Sequence, residues 1–487
     1  MNDSSTPNPA LAEGRPDHAG VFWWPRIEIG GITYCSTALL VLLGVFLALD
    51  FFEGVGQRLS PRKIPVSDDP FLVATTHWDG QWCLQVASEG YFYDADKMSN
   101  VAFFPLYPMF VAAVFRATGI PLEWAGLVVA HVLLIAAFVL LAAYVAQRYA
   151  RASPQLAVYV VLAFGLFPTT FFLRMTYNES TFLALALLAM FGMERGWRPV
   201  VVAVIVGLAT AARPVGVALV PALWLYVWHR GETGPHPRPL SRTRERGGAD
   251  PHPRPLARDG ERGDAGPHPQ PLARDGERGD AGPHPQPLSR IRERGVLRRL
   301  APIIYLTPVA LWGLLAYMAF QYAEFDEPLA FAKTQSHWRR RPAESWGEKA
   351  LALAAWEPIW SAYMPSSPGY TARRGAEVPA WCNLQMADPV FFVATAALVG
   401  LGAAKRWLTG GEVLLSAGLL LIPYVTRGFE MCMASQGRYA SLAFPVYLVL
   451  GRLLCGAPLV VSVAVFAISA VYLAIYAALF AAGYLMI

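Results

Sequence analysis

Residues Thr75 to Asp94 read T-T-H-W-D-G-Q-W-C-L-Q-V-A-S-E-G-Y-F-Y-D, and Val101 to Pro108 continue V-A-F-F-P-L-Y-P. Acids, aromatics and a histidine crowd together here, in a chain whose remainder is mostly apolar. The stretch follows the first long hydrophobic run, so it is expected at a membrane surface. There Asp79 can meet both water and anything carried in lipid. Asp79 is the candidate catalytic residue, and later loops are expected to complete its surroundings.

Of the 487 residues, 55% are hydrophobic and 15% charged. A soluble domain would need a larger charged shell to cover so much apolar surface. Repeated apolar runs of about 17–25 residues match the thickness of a hydrocarbon core. The sequence therefore describes an all-α polytopic membrane protein, with membrane lipids as its surroundings. Its net charge of +5 sits in loops, where arginine sets orientation, so no nucleic-acid partner is expected. Cys35, Cys83, Cys382, Cys432 and Cys455 show no C-x-x-C pair and no disulfide-framework spacing. Cys83, Cys382 and Cys432 would share the outer face, which permits one bridge; small apolar side chains are the simpler reading.

Residues 1–31 form a polar, proline-rich tail that Arg15 and Arg26 place in the cytoplasm. The first part of the transmembrane core covers 32–230, with an outer loop at 51–122. In that loop Phe103 to Arg116 is apolar but short and broken by proline, so an interfacial or re-entrant helix is expected. Reading it as a crossing would put Arg148 and Arg151 outside and invert every later loop. Residues 231–299 form a cytoplasmic insert, in which Gly234 to Leu297 hold four tandem copies of a 16-residue unit such as GPHPQPLARDGERGDA. Proline, glycine and charge dominate the copies. They bury too little to offset a backbone entropy of roughly 1–2 kcal/mol per residue, and disorder is expected. One histidine per copy (His236, His252, His268, His284) follows from the repetition and needs no metal. The second part of the core covers 300–487, with an outer loop at 322–387. About eleven spans result, with basic turns inside and most acid–aromatic loops outside.

Asp79, standing before G-Q-W-C-L-Q-V-A, also fits the N-cap of an interfacial helix, worth about 0.5–2 kcal/mol; the two roles are compatible. Trp78 and Trp82 fit a binding site or an interface anchor. Glu89, Asp94 and Asp96 offer a second carboxylate. Glu179 sits at the outer mouth of a span, where a carboxylate is costly and marks function, unless it is a solvated helix start. Arg174, Arg213 and Arg438 fall at outer span ends, where such groups either snorkel or bind phosphate. His337, Trp338 and Arg339 to Arg341 add a base, a stacking face and charge, or form a solvated surface. No P-loop, Rossmann fingerprint, H-E-x-x-H or G-x-S-x-G occurs, so no metal and no cofactor is expected. An outer-face site without a soluble domain suits a lipid-phosphate donor better than a nucleotide. A polytopic transporter or lipid flippase is the alternative. That class shows internally repeated halves with charge near the midplane, whereas here charge gathers at one face.

Taken together, H-W-D-G-Q-W-C-L-Q-V-A-S-E-G-Y with A-F-F-P-L-Y-P, F-P-T-T-F-F-L-R-M-T-Y-N-E-S-T-F, A-A-R-P-V-G-V, P-L-A-F-A-K-T-Q-S-H-W and R-Y-A-S-L-A-F-P resemble a known family. It is the PIG-V-like mannosyltransferases, which add the second mannose of glycosylphosphatidylinositol anchors, with their bacterial relatives. The family pattern reads R-W-D, then I-A-x-x-G-Y and A-F-F-P, then F-P-x-x-F and Y-S-E. The resemblance implies a GT-C-like bundle of about 11 transmembrane helices, with interfacial helices in the first outer loop. It also implies an inverting hexosyltransferase that uses a polyprenyl-phosphate sugar donor and a lipid-linked or glycan acceptor. The family's catalytic aspartate falls on Asp79. The other motif positions make His77, Trp78, Glu89, Tyr91, Glu179, Arg213, Gln335, His337 and Arg438 candidate substrate-binding residues. His77 replaces the usual arginine, Asn178 replaces a common serine, and the repeats have no family counterpart. A bacterial plasma membrane with an extracytoplasmic active site is the expected location.

Overall fold

The computed structural model describes residues 23–51, 67–149, 154–232, 300–341, 345–367, 369–370 and 378–484, and no strand occurs among them. The four repeats at 234–297 and the tail up to residue 22 lie outside the described residues.

Among the described residues four helices are long and apolar enough to cross a membrane: Trp24–Asp50, Leu122–Arg148, Leu384–Ala404 and Leu459–Ala481. Counting each of three bent helix pairs as one span brings the number up to seven. The chain is a multi-pass membrane protein. The other expected spans are shorter helices, Glu179–Glu194, Pro199–Ala212, Leu219–Glu232 and Gly410–Pro423, of 14 to 16 residues. Fourteen residues rise about 21 Å, short of a core about 30 Å thick. Three of these four end beside irregular turns, and those turns carry the polar residues described below.

Proline makes the breaks. Pro154–Gly165 is followed at 78° by Pro168–Arg174, and Gln436–Leu442 is followed at 75° by Pro445–Gly456. A proline at a helix start gives up an N–H that would have no partner anyway, and its ring ends the preceding turn. Likewise Pro199–Ala212 stops at Arg213, and Pro214 opens a short 3₁₀ turn. The expected interfacial segment is a 13-residue helix, Leu106–Thr118, closed by Gly119 at φ 71° and packed on Leu122–Arg148. The core joins Leu141, Phe164, Leu187, Leu223 and Tyr447 across five helices, all fully buried. The first helix, Trp24–Phe51, packs along the last, Leu459–Ala481.

No disulfide joins the described cysteines; Cys83 and Cys382 are buried thiols.

Candidate active site

The turn before Asp79 is unusual. Trp78 has φ 49° and ψ −107°, and the helix Asp79–Glu89 begins directly after it with no side-chain cap bond. An L-residue at positive φ is uncommon, and such conformations gather at functional sites. Asp79 is therefore the first helical residue and not the cap. Its carboxylate stays near the helix N-terminus, which favours negative charge, and is free to bond elsewhere: Oδ2 accepts from Arg438 Nη1 at 2.9 Å. Gly80 explains how the turn gets there. A Cβ on it would stand 2.5 Å from Thr176 Oγ1, so only glycine allows this approach. Thr176 also binds the turn, its N–H and hydroxyl both donating to the Thr75 carbonyl at 3.2 and 3.1 Å.

Glu179 is fully buried at the start of the helix Glu179–Glu194, which rules out a solvated helix start. Its Oε1 accepts from Arg213 Nη1 at 2.5 Å and from Arg438 through Nε at 3.1 Å and through Nη2. Arg213 Nη1 also donates to Asn178 Oδ1 at 3.1 Å. The Arg438 guanidinium lies over the rings of Phe172 at 4.8 Å and Tyr177 at 4.9 Å. These arginines do not snorkel. Two carboxylates and two guanidiniums form one cluster with Arg438 at its centre. Burying such charges is costly unless they are paired; here Glu179 neutralises from beneath, while Asp79 keeps 29% of its side chain exposed.

That exposed face opens into a cavity of about 1250 Å³. Its wall includes Trp78, Gln335 and His337 from the expected set, with Arg213 and Arg438. Trp82 stacks on Phe103 at 5.9 Å, and both rings meet Trp338 edge-on, forming an aromatic side. Among the described residues six cations line the cavity (Arg213, Arg339, Arg340, Lys349, Arg427 and Arg438) against the carboxylates of Asp79 and Glu430. Glu430 is itself engaged by Lys349 at 3.2 Å and Arg339 at 3.6 Å. The cavity is cationic, and suits an anionic ligand.

Other expected residues lie elsewhere. Glu89 is exposed and bonded by Gln85 at 3.0 Å. Tyr91 donates to the Phe103 carbonyl at 2.8 Å and packs on Tyr317, off the cavity wall. Arg174 is buried against Thr37 and Thr170. His77 is buried between Trp78 and Phe480, and its Nε2 donates to the Ala481 carbonyl at 3.2 Å. Burial lowers the His77 imidazole to about 4, partly opposed by that carbonyl. Its pKa when folded thus lies below the unfolded value of 6.5, so between these values the unfolded chain binds more protons. Stability is full above pH 6.5 and falls towards pH 4, by roughly 3 kcal/mol in all. Denaturation midpoints in detergent should show this slope for the wild type, and His77→Phe should flatten it.

Two residues were not singled out from the sequence. Tyr439 lies beneath Arg213, ring to guanidinium 5.4 Å, and its hydroxyl is hydrogen-bonded to Arg427. Arg427 stands on a π-helical turn, Tyr424–Gly428, a feature that recurs at functional sites. The signal available in sequence was the R-Y pair at Arg438–Tyr439. Among the described residues no group of three or more His, Cys, Asp and Glu is placed to hold a metal ion.

Residues 55–230 match the family model described as Mannosyltransferase (PIG-V). No curated protein and no solved structure matches the chain. Asp79, Glu179 and Arg213 fall inside the matched region, and Arg438 reaches them from beyond it. The match thus covers three corners of the charged cluster, and over those residues the chain is similar to the PIG-V mannosyltransferases.

Proposed function

We propose that the chain moves a sugar, mannose by that similarity, from a polyprenyl-phosphate donor to a lipid-linked or glycan acceptor, with inversion at the anomeric carbon. One observation carries the reading: Asp79 is the exposed carboxylate of a buried ion cluster and faces a large cationic cavity. Asp79 acts as general base. An acceptor hydroxyl about 2.6–3.2 Å from its free oxygen would lose its proton there, while the other oxygen stays on Arg438. The hydroxyl oxygen attacks the anomeric carbon from the face opposite the lipid phosphate, and the bond to that phosphate breaks. The charge left on the phosphate is met by Arg213 and Arg438, with Arg427 alongside. Glu179 holds both forks in place, and the Trp82 and Trp338 rings offer faces for the sugar.

In this reading Pro70–Thr75, Asp79–Glu89 and Leu106–Thr118 lie in the membrane interface of the first outer loop. The bundle is GT-C-like with about eleven spans, in two parts covering 32–230 and 300–487. The 231–299 insert is cytoplasmic, and the cavity opens on the extracytoplasmic side of a bacterial plasma membrane. Incubating the purified protein with polyprenyl-phosphate mannose or glucose and a membrane lipid extract tests the activity. Mannose should appear on an acceptor with inverted linkage. A folded preparation that transfers neither sugar refutes the reading.

A further inference from the structure

Asp388 belongs to no motif and does not line the cavity, yet it holds the segment that delivers Arg438. It is fully buried in the helix Leu384–Ala404, just before Pro389. Its carboxylate bonds another part of the chain: Oδ2 accepts the Ser435 N–H at 2.8 Å, and Oδ1 the Gly437 N–H at 2.7 Å. The segment so held is strained. Cys432, Met433 and Ser435 take φ of 53°, 64° and 69°, a left-handed backbone that L-residues other than glycine rarely adopt. Such a turn persists only where its surroundings over-determine it. Besides Asp388, Thr169 contributes, its hydroxyl donating to the Gly437 carbonyl at 2.8 Å. Space around Gly437 is fully used: a Cβ there would stand 2.8 Å from Asp388 Oδ1 and 2.9 Å from Thr169 Cγ2. The next residue is Arg438, which bridges Glu179 and Asp79.

We infer that Asp388 is a positioning residue: by clamping the N–H groups of Ser435 and Gly437 it fixes the Arg438 guanidinium on the Asp79 carboxylate. It touches no substrate and acts through Arg438. The inference rests on Asp79 and Arg438 being the reacting pair of the proposed transferase, but its first readout is independent of activity.

Asp388→Asn is the test. The amide keeps one acceptor oxygen but turns an NH₂ group toward the second N–H, so the turn loosens and Arg438 withdraws. Coupling of Asp79 to an amine by a water-soluble carbodiimide, read by mass spectrometry on the full-length protein, should rise about tenfold. The kcat should fall about a hundredfold, in line with misplacement by about 1 Å, and the donor KM should stay within about threefold. Gly437→Ala, which pushes on the same carboxylate from the other side, should reproduce both effects. Adding Ser435→Gly to Asp388→Asn relieves the strain at Ser435 and should restore part of the kcat. In an Arg438→Lys background Asp388→Asn should cost little more, because its effect passes through Arg438. Unchanged Asp79 labelling in a folded Asp388→Asn protein overturns the inference, as does a fully additive cycle. If Asp388→Asn fails to fold with and without Ser435→Gly, Asp388 is a folding residue and the inference is wrong. Absence of transfer in the wild type, with labelling rising in Asp388→Asn, refutes the proposed activity and leaves this inference standing.

Discussion

Asp79→Asn should lower sugar transfer by about a thousandfold or more while the protein folds normally. The amide is isosteric and still accepts a hydrogen bond from Arg438, so the cluster keeps its shape. It cannot take a proton, and positioned general bases contribute about 10²–10⁴-fold. The helix loses no cap, because Trp78 and not Asp79 stands at the cap position. Stability and catalysis therefore separate cleanly at this residue. Initial rates with a radiolabelled donor, set beside denaturation midpoints, decide the matter. A folded Asn variant working at the wild-type rate would reduce Asp79 to a counter-ion for Arg438.

Glu179→Gln should do the opposite and damage both. Glu179 is the buried carboxylate shared by Arg213 and Arg438, and its amide leaves two guanidiniums without a buried counter-charge. Breaking a buried pair this way costs about 3–5 kcal/mol, and transfer is lost because both forks turn toward the remaining carboxylate, Asp79. Adding Arg213→Gln removes one surplus charge and should recover a large part of the stability without restoring transfer. The coupling between the two sites is read from a double-mutant cycle on denaturation midpoints. A Glu179→Gln protein as stable as wild type would mean that the guanidiniums find other partners and the cluster is not built around this carboxylate.

Glu179, Arg213 and Arg438 stand out in the sequence because a charge at the end of an apolar run is costly enough to demand a reason, and Asp79 because acids and aromatics crowd around it in the first outer loop. That all four touch is a different matter. Asp79 and Arg438 are 359 positions apart, and only the bends at Pro168, Pro214 and Pro445 bring their turns to one place. Neighbours in sequence mislead for a related reason. Ten residues of helix separate Glu89 from Asp79, and at 1.5 Å per residue that is about 15 Å, enough to carry Glu89 into solvent. The burial of His77 depends on Phe480 and Ala481 at the far end of the chain, which no local pattern around H-W-D announces. Asp388 reads as an ordinary acid in the first turns of a helix; only the turn that it clamps gives it a role. The helical class and the membrane setting were legible from hydropathy. Individual spans were harder to delimit, since several helices are short and others are bent within one apolar run.

The packing of the first helix against the last also has a consequence in time. Ribosomes add about 5–20 residues per second. Trp24–Phe51 would thus leave the ribosome well before Leu459–Ala481 exists to cover it. Asp79 would wait about 20–70 s for the arginine 359 positions downstream. During that interval the first helix can pack on Leu122–Arg148, but the side that Leu459–Ala481 covers has only lipid or the insertion machinery to lie against, and Glu179 and Arg213 hold each other without a third member. A nascent or truncated chain ending before Gln436 has Asp79, but not the guanidinium that pairs with it. The Asp79–Arg438 pair is therefore completed only late in synthesis, and under the proposed reading a half-made chain in the membrane would meet its substrates without the means to act on them.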